Sequence, residues 1–286
     1  MTLAEVLAKW DVVPHQVRLI QDRGSAHWSV RSAEERFVLR RYGSHRDLEQ
    51  VLWEQDLLRR VSARGWPVAC AIGPAQAVDG HLYSLFPFIG GSRIRGPDDD
   101  QRRRCGRLLA EFHVDTATIT IDPRPGVPKI WQFDAETIAA NPDTLRTAVG
   151  ACDAALFAEH AAAVGEDFER FGVRDFPRAV VHGDFAAWNL RFTGGRLSAL
   201  YDFDPADVDA RAADVACGRR GYHDVFVDGY REVLPMTDEE LGALASLWTA
   251  NVLRDIAAAL GAGVASDEWN RAELDWCRTQ LDKTVP

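Results

Sequence analysis

The chain has 286 residues, 47% of them hydrophobic and 27% charged, and a formal net charge of −10. That length and balance suit one or two domains with a substantial core, and the acidic excess argues against a general nucleic-acid binder, which needs a basic footprint. Cys70, Cys105, Cys152, Cys217 and Cys277 are scattered, with no close pair to mark a zinc or redox site, and read as thiols of a reducing compartment. Residues 1–10 lack a basic start followed by an apolar run, and no apolar stretch approaches the roughly 20 residues of a membrane helix, so the expectation is a cytoplasmic protein with no membrane partner and no nucleic-acid polymer partner.

In chain order, residues 2–10 read as a short helix that Thr2 can cap, with Leu3, Val6, Leu7 and Trp10 as its apolar stripe. Residues 17–20, 28–30 and 37–42 read as strands of one antiparallel sheet, the first two linked by Gly24-Ser25-Ala26-His27. Residues 47–63 form the next helix, with Leu48, Val51, Leu52, Leu58 and Val61 on its apolar face. Glu54 falls in line with Leu58 and Val61, and a carboxylate beside an apolar stripe needs a partner. Arg40, on the strand before it, is the obvious one; Glu49 is the second acid that the helix offers. Residues 81–86 are a further strand, followed by Phe86-Pro87-Phe88-Ile89-Gly90-Gly91 as a connector.

Beyond the connector the pattern is mostly helical. Residues 98–114 open with three acids, which favour a helix N-terminus, and bury Leu108, Leu109, Phe112 and His113. Residues 122–128 are too rich in proline for helix or central strand. Helical patterning returns over 131–140 and 143–171; Thr237-Asp238-Glu239-Glu240 is a capping box opening a helix through residue 260, and residues 266–281 form a last helix. No internal repeat or low-complexity linker appears.

The chemistry concentrates in the run His182-Gly183-Asp184-Phe185-Ala186-Ala187-Trp188-Asn189-Leu190 and in Tyr201-Asp202-Phe203-Asp204. Phosphoryl transfer needs a metal held against the phosphates and a carboxylate facing the attacking hydroxyl, and an Asp followed five residues later by Asn is the spacing of a kinase catalytic loop. The apolar run 179–181 leads into this loop. Leu190-Arg191-Phe192 and 197–203 read as two strands joined by the turn Thr193-Gly194-Gly195-Arg196. With a four-residue loop, Phe192 faces Leu197 and Asn189 faces Leu200, so alternation puts Asp202 on the face of Asn189 as a diagonal neighbour roughly 7–8 Å away. Two oxygen-bearing groups so placed can share one Mg²⁺. Asp184 precedes the first strand, where it can meet a substrate hydroxyl. His182, next to an apolar strand, reads as a buried framework residue.

These residues resemble the aminoglycoside phosphotransferase family, relatives of choline, homoserine and fructosamine kinases. The resemblance extends to Phe37-Val38-Leu39-Arg40, to 54–61, to Leu108-Leu109-Ala110-Glu111-Phe112-His113 and to Ala213-Asp214-Val215-Ala216, and so covers most of the chain. It implies an α+β, two-lobed protein-kinase-like fold. The N-lobe, residues 1–88, is a small antiparallel sheet with one main helix, and the larger, mostly helical C-lobe spans 89–286. It implies Asp184 as catalytic base, Asn189 and Asp202 as Mg²⁺ ligands, and Asp204 as an acid supporting the metal loop or touching substrate. The hairpin at Ser25 covers the nucleotide phosphates, and the connector becomes the hinge, where Phe86 or Phe88 supplies the N–H for adenine because Pro87 has none.

The departure from the family is the phosphate-binding cation. The family has a lysine here; this chain has Arg40 and Arg41, and its only lysines are Lys9, Lys129 and Lys283. Arg40 is the choice because it follows Leu39 where the family lysine stands, with Glu54 as its acidic partner. Arginine stays charged and grips phosphate through two N–H groups. Trp131, Asp134, Glu136, Asp207 and Asp209 are expected to line the acceptor site, and such acids suit an amine-bearing acceptor. The expected activity is transfer of the γ-phosphoryl group of ATP, or of GTP, to a hydroxyl of a small molecule: an aminoglycoside or related antibiotic, or alternatively homoserine or another amino alcohol. A nucleotide-binding pseudokinase is the competing class, supported by the missing lysine. A protein kinase is disfavoured, because Asp202-Phe203 is followed by Asp204 and the Gly-rich loop signature is missing.

Overall fold

The computed structural model describes residues 2–23, 25–133 and 151–261, together with Asp275 and Thr279. The helical patterning over 134–150 and most of that over 266–281 lie outside the described residues, and Asp134 and Glu136 with them. In chain order the elements are α1 (Leu3–Leu7), β1 (Gln16–Arg23), β2 (Ser25–Arg31), β3 (Arg36–Arg41), α2 (Leu48–Ala63), β4 (Gln76–Val78), β5 (His81–Pro87) and α3 (Asp99–Thr116). There follow α4 (Ala151–Phe171), β6 (Arg178–Val181), β7 (Leu190–Thr193), β8 (Arg196–Leu200), β9 (Asp207–Ala210), α5 (Arg211–Arg231), α6 (Asp238–Gly242) and α7 (Leu244–Gly261).

Packing divides the chain into two units. The first joins residues 1–96, 119–126 and 186–206; the second joins 97–118, 127–185 and 207–286. The boundary therefore does not fall once, after residue 88. Residues 186–206 pack with the N-terminal part because Ser92 pairs with Phe192 and the Leu200 N–H donates to the Pro67 carbonyl at 2.9 Å.

The first unit is built on a five-stranded antiparallel sheet in the order β1-β2-β3-β5-β4. Alternation gives it an apolar face, where Val17, Val30, Phe37, Leu39 and Leu85 pack with Val6 and Leu7 of α1. The opposite face carries Arg40, flanked in register by His27 and Ser84. Thr2 caps α1 reciprocally with Glu5, and the expected helix over 2–10 resolves into α1 and a 3₁₀ turn, Ala8–Trp10. Pairing continues to Arg23 and Ser25, so Ser25, Ala26 and His27 belong to β2 and not to a connecting loop. The Asp47 side chain caps α2, accepting from the Gln50 N–H at 2.8 Å. The buried stripe of α2 is Val51, Leu57, Leu58 and Val61 with Glu54; Leu48 and Leu52, expected on that face, are about half exposed.

The hairpin β7–β8 turns at Gly194 and Gly195, both with positive φ (56° and 77°), the two-residue turn whose twist matches its strands. Phe192 faces Leu197 as expected. A bulge between Arg191 and Phe192 then shifts the register, so Leu190 faces Leu200, and Asn189 stands opposite Tyr201, whose N–H donates to its carbonyl at 2.9 Å.

In the second unit α3 packs against α5 with the backbones in close approach. A side chain at Gly106 would put its Cβ 1.9 Å from the Phe226 carbonyl oxygen, and one at Gly229 would stand 2.0 Å from that of Arg103. Strands β6 and β9 pair antiparallel, Val181 opposite Asp207, and β6 delivers the chain to His182. Thr237 and Glu240 form the expected capping box, but the helix it opens ends at Gly242, and α7 starts at Leu244.

Candidate active site

In the first unit, the Arg40 side chain is 8% exposed. Its Nη1 lies 2.8 Å from Glu54 Oε1, and its Nη2 lies 2.8 Å from Asp204 Oδ1. The strand–helix ion pair anticipated from sequence is thus present in the geometry, and Asp204 joins it. Two further arginines enter that sequence reasoning missed. Arg46 contacts Glu54 Oε2 through Nη2 and reaches Asp204 Oδ1 at 3.1 Å. Arg124 donates to the Asp204 carbonyl. Neither has a motif: Arg46 sits in the loop before a helix cap, and Arg124 lies in the proline-rich connector. Arg41 points to the other face of the sheet, where it lies 3.6 Å from the exposed Asp22 and 5.7 Å from the Trp28 ring. Of the two arginines, Arg40 is the buried one.

Burial opposes the charge on Arg40, but Glu54 and Asp204 outweigh it and raise its pKa. Burial also works against the Asp204 carboxylate, and Arg40 with Arg46 more than compensates, holding it below the usual range. Glu54 is pushed upward by burial against the pull of Arg40 and Arg46. His27, beside Arg40 across the strand pair, is lowered to about 4 by burial and then by Arg40, so its imidazole is neutral at pH 7.

Of the other expected nucleotide residues, Ser25 opens β2 and Phe86 sits in the ladder opposite Val38. The Phe88 N–H donates to the Arg36 carbonyl at 2.9 Å, and the Arg36 guanidinium lies 3.9 Å over its ring. That corrects the expectation for Phe88: its N–H is already engaged within the unit.

Asn189 is buried at 6% exposure. Asp202 lies beyond the end of β8 in the left-handed region, φ 65°, unusual for a residue other than glycine and tolerated best by Asn and Asp. The shared-face argument thus fails in its original form. The bulge changes the register, and the turn at Asp202 ends strand alternation; the turn backbone, not the pleat, sets the direction of its carboxylate. As a donor set, an amide oxygen and a carboxylate are hard ligands that fit Mg²⁺, which takes few protein ligands and completes its shell with phosphates and water. Among the described residues, no group of three His, Cys, Asp or Glu side chains is placed to hold a metal by itself.

In the second unit, Asp184 is framed from behind. The Asp214 carboxylate, fully buried on α5, accepts the His182 N–H at 2.7 Å and the Gly183 N–H at 2.9 Å. His113 of α3 donates to Asp214 from Nε2 at 3.1 Å, leaving its Nδ1 to accept from the Tyr230 hydroxyl at 2.8 Å. Burial opposes the Asp214 charge, but the hydrogen bonds from His113 and from the His182 N–H overcome it, and its pKa lies below the usual range. Gly183 adopts φ 79°, which the turn into Asp184 requires. The Asp184 N–H then donates to His182 Nδ1 at 3.2 Å. His182 is fully buried, the framework residue anticipated. Asp184 itself, 19% exposed, contacts Arg220 of α5, whose guanidinium lies 4.7 Å from the Trp248 ring. Sequence gave no signal for Arg220.

Two expected acceptor residues, Asp207 and Asp209, are placed otherwise. Asp207 is buried and bonds Lys129 Nζ. Asp209 is buried and accepts the N–H groups of Ile130 (2.7 Å) and Ala210 (2.6 Å); burial raises its pKa to about 6. Both carboxylates hold the segment at residues 129–130 to β9, which corrects the expectation that they line an acceptor site. Trp131 is covered at 3.9 Å by the Arg178 guanidinium.

Comparison with known proteins places these features in a family. Residues 16–245 match the model of the phosphotransferase enzyme family. A homoserine kinase of Rhizobium etli (strain CIAT 652) is 25% identical over 253 residues, covering 80% of this chain and 75% of its own. Another, from Mesorhizobium japonicum, is 28% identical over 209 residues, 65% of this chain and 62% of its own. Among solved structures, a microcompartment-associated aminopropanol kinase superposes with a TM-score of 0.75 at 18% identity, covering 99% of this chain and 94% of its own. An amicoumacin kinase bound to AMP-PNP gives 0.74 at 15%, covering 99% and 93%. These likenesses show the kinase-like α+β fold. The match across residues 16–245 shows more: the chain belongs to the phosphotransferase enzyme family, small-molecule kinases that phosphorylate an alcohol group.

Proposed function

We propose that this kinase transfers the γ-phosphoryl group of ATP to the hydroxyl of a small amino alcohol or hydroxy amino acid, with Asp184 as base, Arg40 on the nucleotide phosphates and Asn189 with Asp202 holding Mg²⁺. The observation that carries it is the Arg40–Glu54–Asp204 cluster, with Arg40 and Glu54 buried, in the same packed unit as Asn189 and Asp202. When bound, Mg²⁺ supplies charge neutralisation at the phosphate oxygens. Arg40 neutralises further charge while Glu54 and Asp204 fix its fork. Asp184, anchored through His182 and Gly183, orients the acceptor hydroxyl and takes its proton as the phosphoryl group arrives. In a loose transition state that proton leaves late, and positioning dominates. A cytoplasmic setting, where ATP and Mg²⁺ are at hand, belongs to the same proposal.

The amino-alcohol class is supported by the homoserine kinases that match most of the chain and by the aminopropanol kinase. An aminoglycoside-type antibiotic is the second reading, supported by structures such as a GDP complex of aminoglycoside 2'-phosphotransferase-IIIa, TM-score 0.75 at 12% identity over 98% of this chain and 97% of its own. Asp207 and Asp209 are engaged in the framework, so these two acids favour neither amine-bearing class over the other. The test is a screen of hydroxyl compounds, amino alcohols and aminoglycosides included, coupled to ADP and GDP release. Asp184→Ala should lower turnover by about 10²–10⁴-fold with nucleotide affinity retained. Turnover at the wild-type rate rejects Asp184 as base; nucleotide binding without product from any alcohol points to the pseudokinase.

A further inference from the structure

We propose that Arg46 is a positioning residue for the metal-bearing turn, setting where Asp202 stands when Mg²⁺ and nucleotide bind; this rests on the kinase reading above. Arg46 is held at its own base. It directly precedes the Asp47 cap of α2, and its N–H donates to the Gly43 carbonyl at 3.0 Å. Its side chain is 6% exposed. One guanidinium meets three oxygens: it hydrogen-bonds Glu54 Oε2 through Nη2 and the Asp204 carbonyl at 3.2 Å through Nη1, and the same Nη1 forms an ion pair with Asp204 Oδ1 at 3.1 Å.

Arg40 holds the other Glu54 oxygen and the same Asp204 oxygen, each at 2.8 Å. Arg40, Glu54, Arg46 and Asp204 therefore close into a ring of alternating charge. Every member has two partners of opposite sign, so the ring has a defined shape that a single pair lacks. Arg124 adds a second cation on the Asp204 carbonyl and reaches that of Ala206 at 3.4 Å.

The consequence falls two residues upstream. Asp202 sits in a left-handed conformation that strand pairing does not support, since β8 ends at Leu200. A backbone of that kind persists only where its surroundings over-determine it. Arg46 grips both the main chain and the side chain at Asp204, on the C-terminal side of Asp202. Tyr201, on the N-terminal side, bonds to the Asn189 carbonyl. The turn is thereby clamped at both ends. Arginine suits this task and lysine does not, because only a planar fork serves three oxygens in fixed directions.

Calorimetry with ADP, in the presence and absence of Mg²⁺, tests the idea without turnover. Arg46→Ala should weaken MgADP about tenfold, the loss typical when a group supporting a metal ligand is removed. Metal-free ADP should bind as to wild type, and half-saturation should need more Mg²⁺. Equal weakening with and without Mg²⁺, or none, overturns the proposal. If Arg46→Ala does not fold, Arg46→Lys keeps the charge and stem while removing the fork, and should show the same metal-specific loss at about threefold; affinity unchanged in that variant overturns the proposal. Wild-type protein that binds no MgADP overturns the kinase reading as well, whereas wild-type binding shared by a folded Arg46 variant sinks this inference alone.

Discussion

Asp214→Asn is the most informative perturbation, because it changes one atom type at the anchor of the catalytic loop. In the wild type, both Asp214 oxygens are in use: Oδ2 accepts the His182 N–H at 2.7 Å and His113 Nε2 at 3.1 Å, and Oδ1 accepts the Gly183 N–H at 2.9 Å. Asparagine keeps the shape but has one acceptor oxygen. Its NH₂ must face either the His182 or the Gly183 N–H, leaving a buried donor unsatisfied at about 1–3 kcal/mol, and the charge assistance to the remaining bonds is lost as well. The sum is about 3–5 kcal/mol, which lowers the melting temperature by roughly 6–20 °C at about 2–4 °C per kcal/mol. Hydrogen exchange at the His182 and Gly183 amides should quicken by two orders of magnitude or more, since about 1.4 kcal/mol is tenfold. Turnover should fall with it, because Asp184 follows directly. The pH dependence has a definite sign. The Asp214 pKa is depressed by folding, so its contribution is present above the unfolded value near 3.9 and is lost as pH falls through the folded one. Wild type and variant should therefore differ across pH 5–7 and converge only below about pH 4. A variant that melts within about 1 kcal/mol of wild type at pH 7, with its two amides still protected, would refute the anchoring argument.

Three further predictions follow the same logic. Asp202→Ala should abolish the Mg²⁺-dependent part of ADP binding in calorimetry while leaving the metal-free part; equal binding with and without metal in wild type would remove Asp202 from the metal site. Arg40→Lys should reduce kcat/KM for the nucleotide, because one ammonium cannot keep two carboxylates that now lie 2.8 Å from separate guanidinium nitrogens; indifference would shift the role away from Arg40. His27, ordinarily near 6.5 and held at about 4 by burial and Arg40, stays neutral in the fold while the unfolded chain takes up its proton first. Stability is thus full above pH 6.5 and falls by up to about 3 kcal/mol on going to pH 4; His27→Gln should flatten that slope in pH-dependent melts, and an unchanged slope would rule out His27 as its source.

Much of this protein was legible in its residues. The Asp184–Asn189 spacing, the second acid at Asp202, the Gly194-Gly195 turn and the caps at Thr2 and Thr237 are local features. A cap or a two-residue turn is decided by a few neighbouring atoms, so short-range chemistry suffices to find it. The pairing of Arg40 with Glu54 was also within reach, since a carboxylate on an apolar helix face calls for a cation on the adjoining strand.

The rest depended on residues distant in the chain. The bulge that moves Asn189 opposite Tyr201 follows no sequence sign, because one inserted residue reverses every facing downstream while composition stays the same. Arg46, Arg124 and Arg220 are ordinary arginines among many until folding brings them to Asp204 and Asp184, 158, 80 and 36 residues away. Asp207 and Asp209 read as acceptor-site acids until burial joined them to Lys129 and Ile130. The sequence by itself determined which chemical groups are available and where the chain turns. Only tertiary structure decided which charges are desolvated together, and that decides their strength, because a charge removed from water is held by the partners the fold supplies.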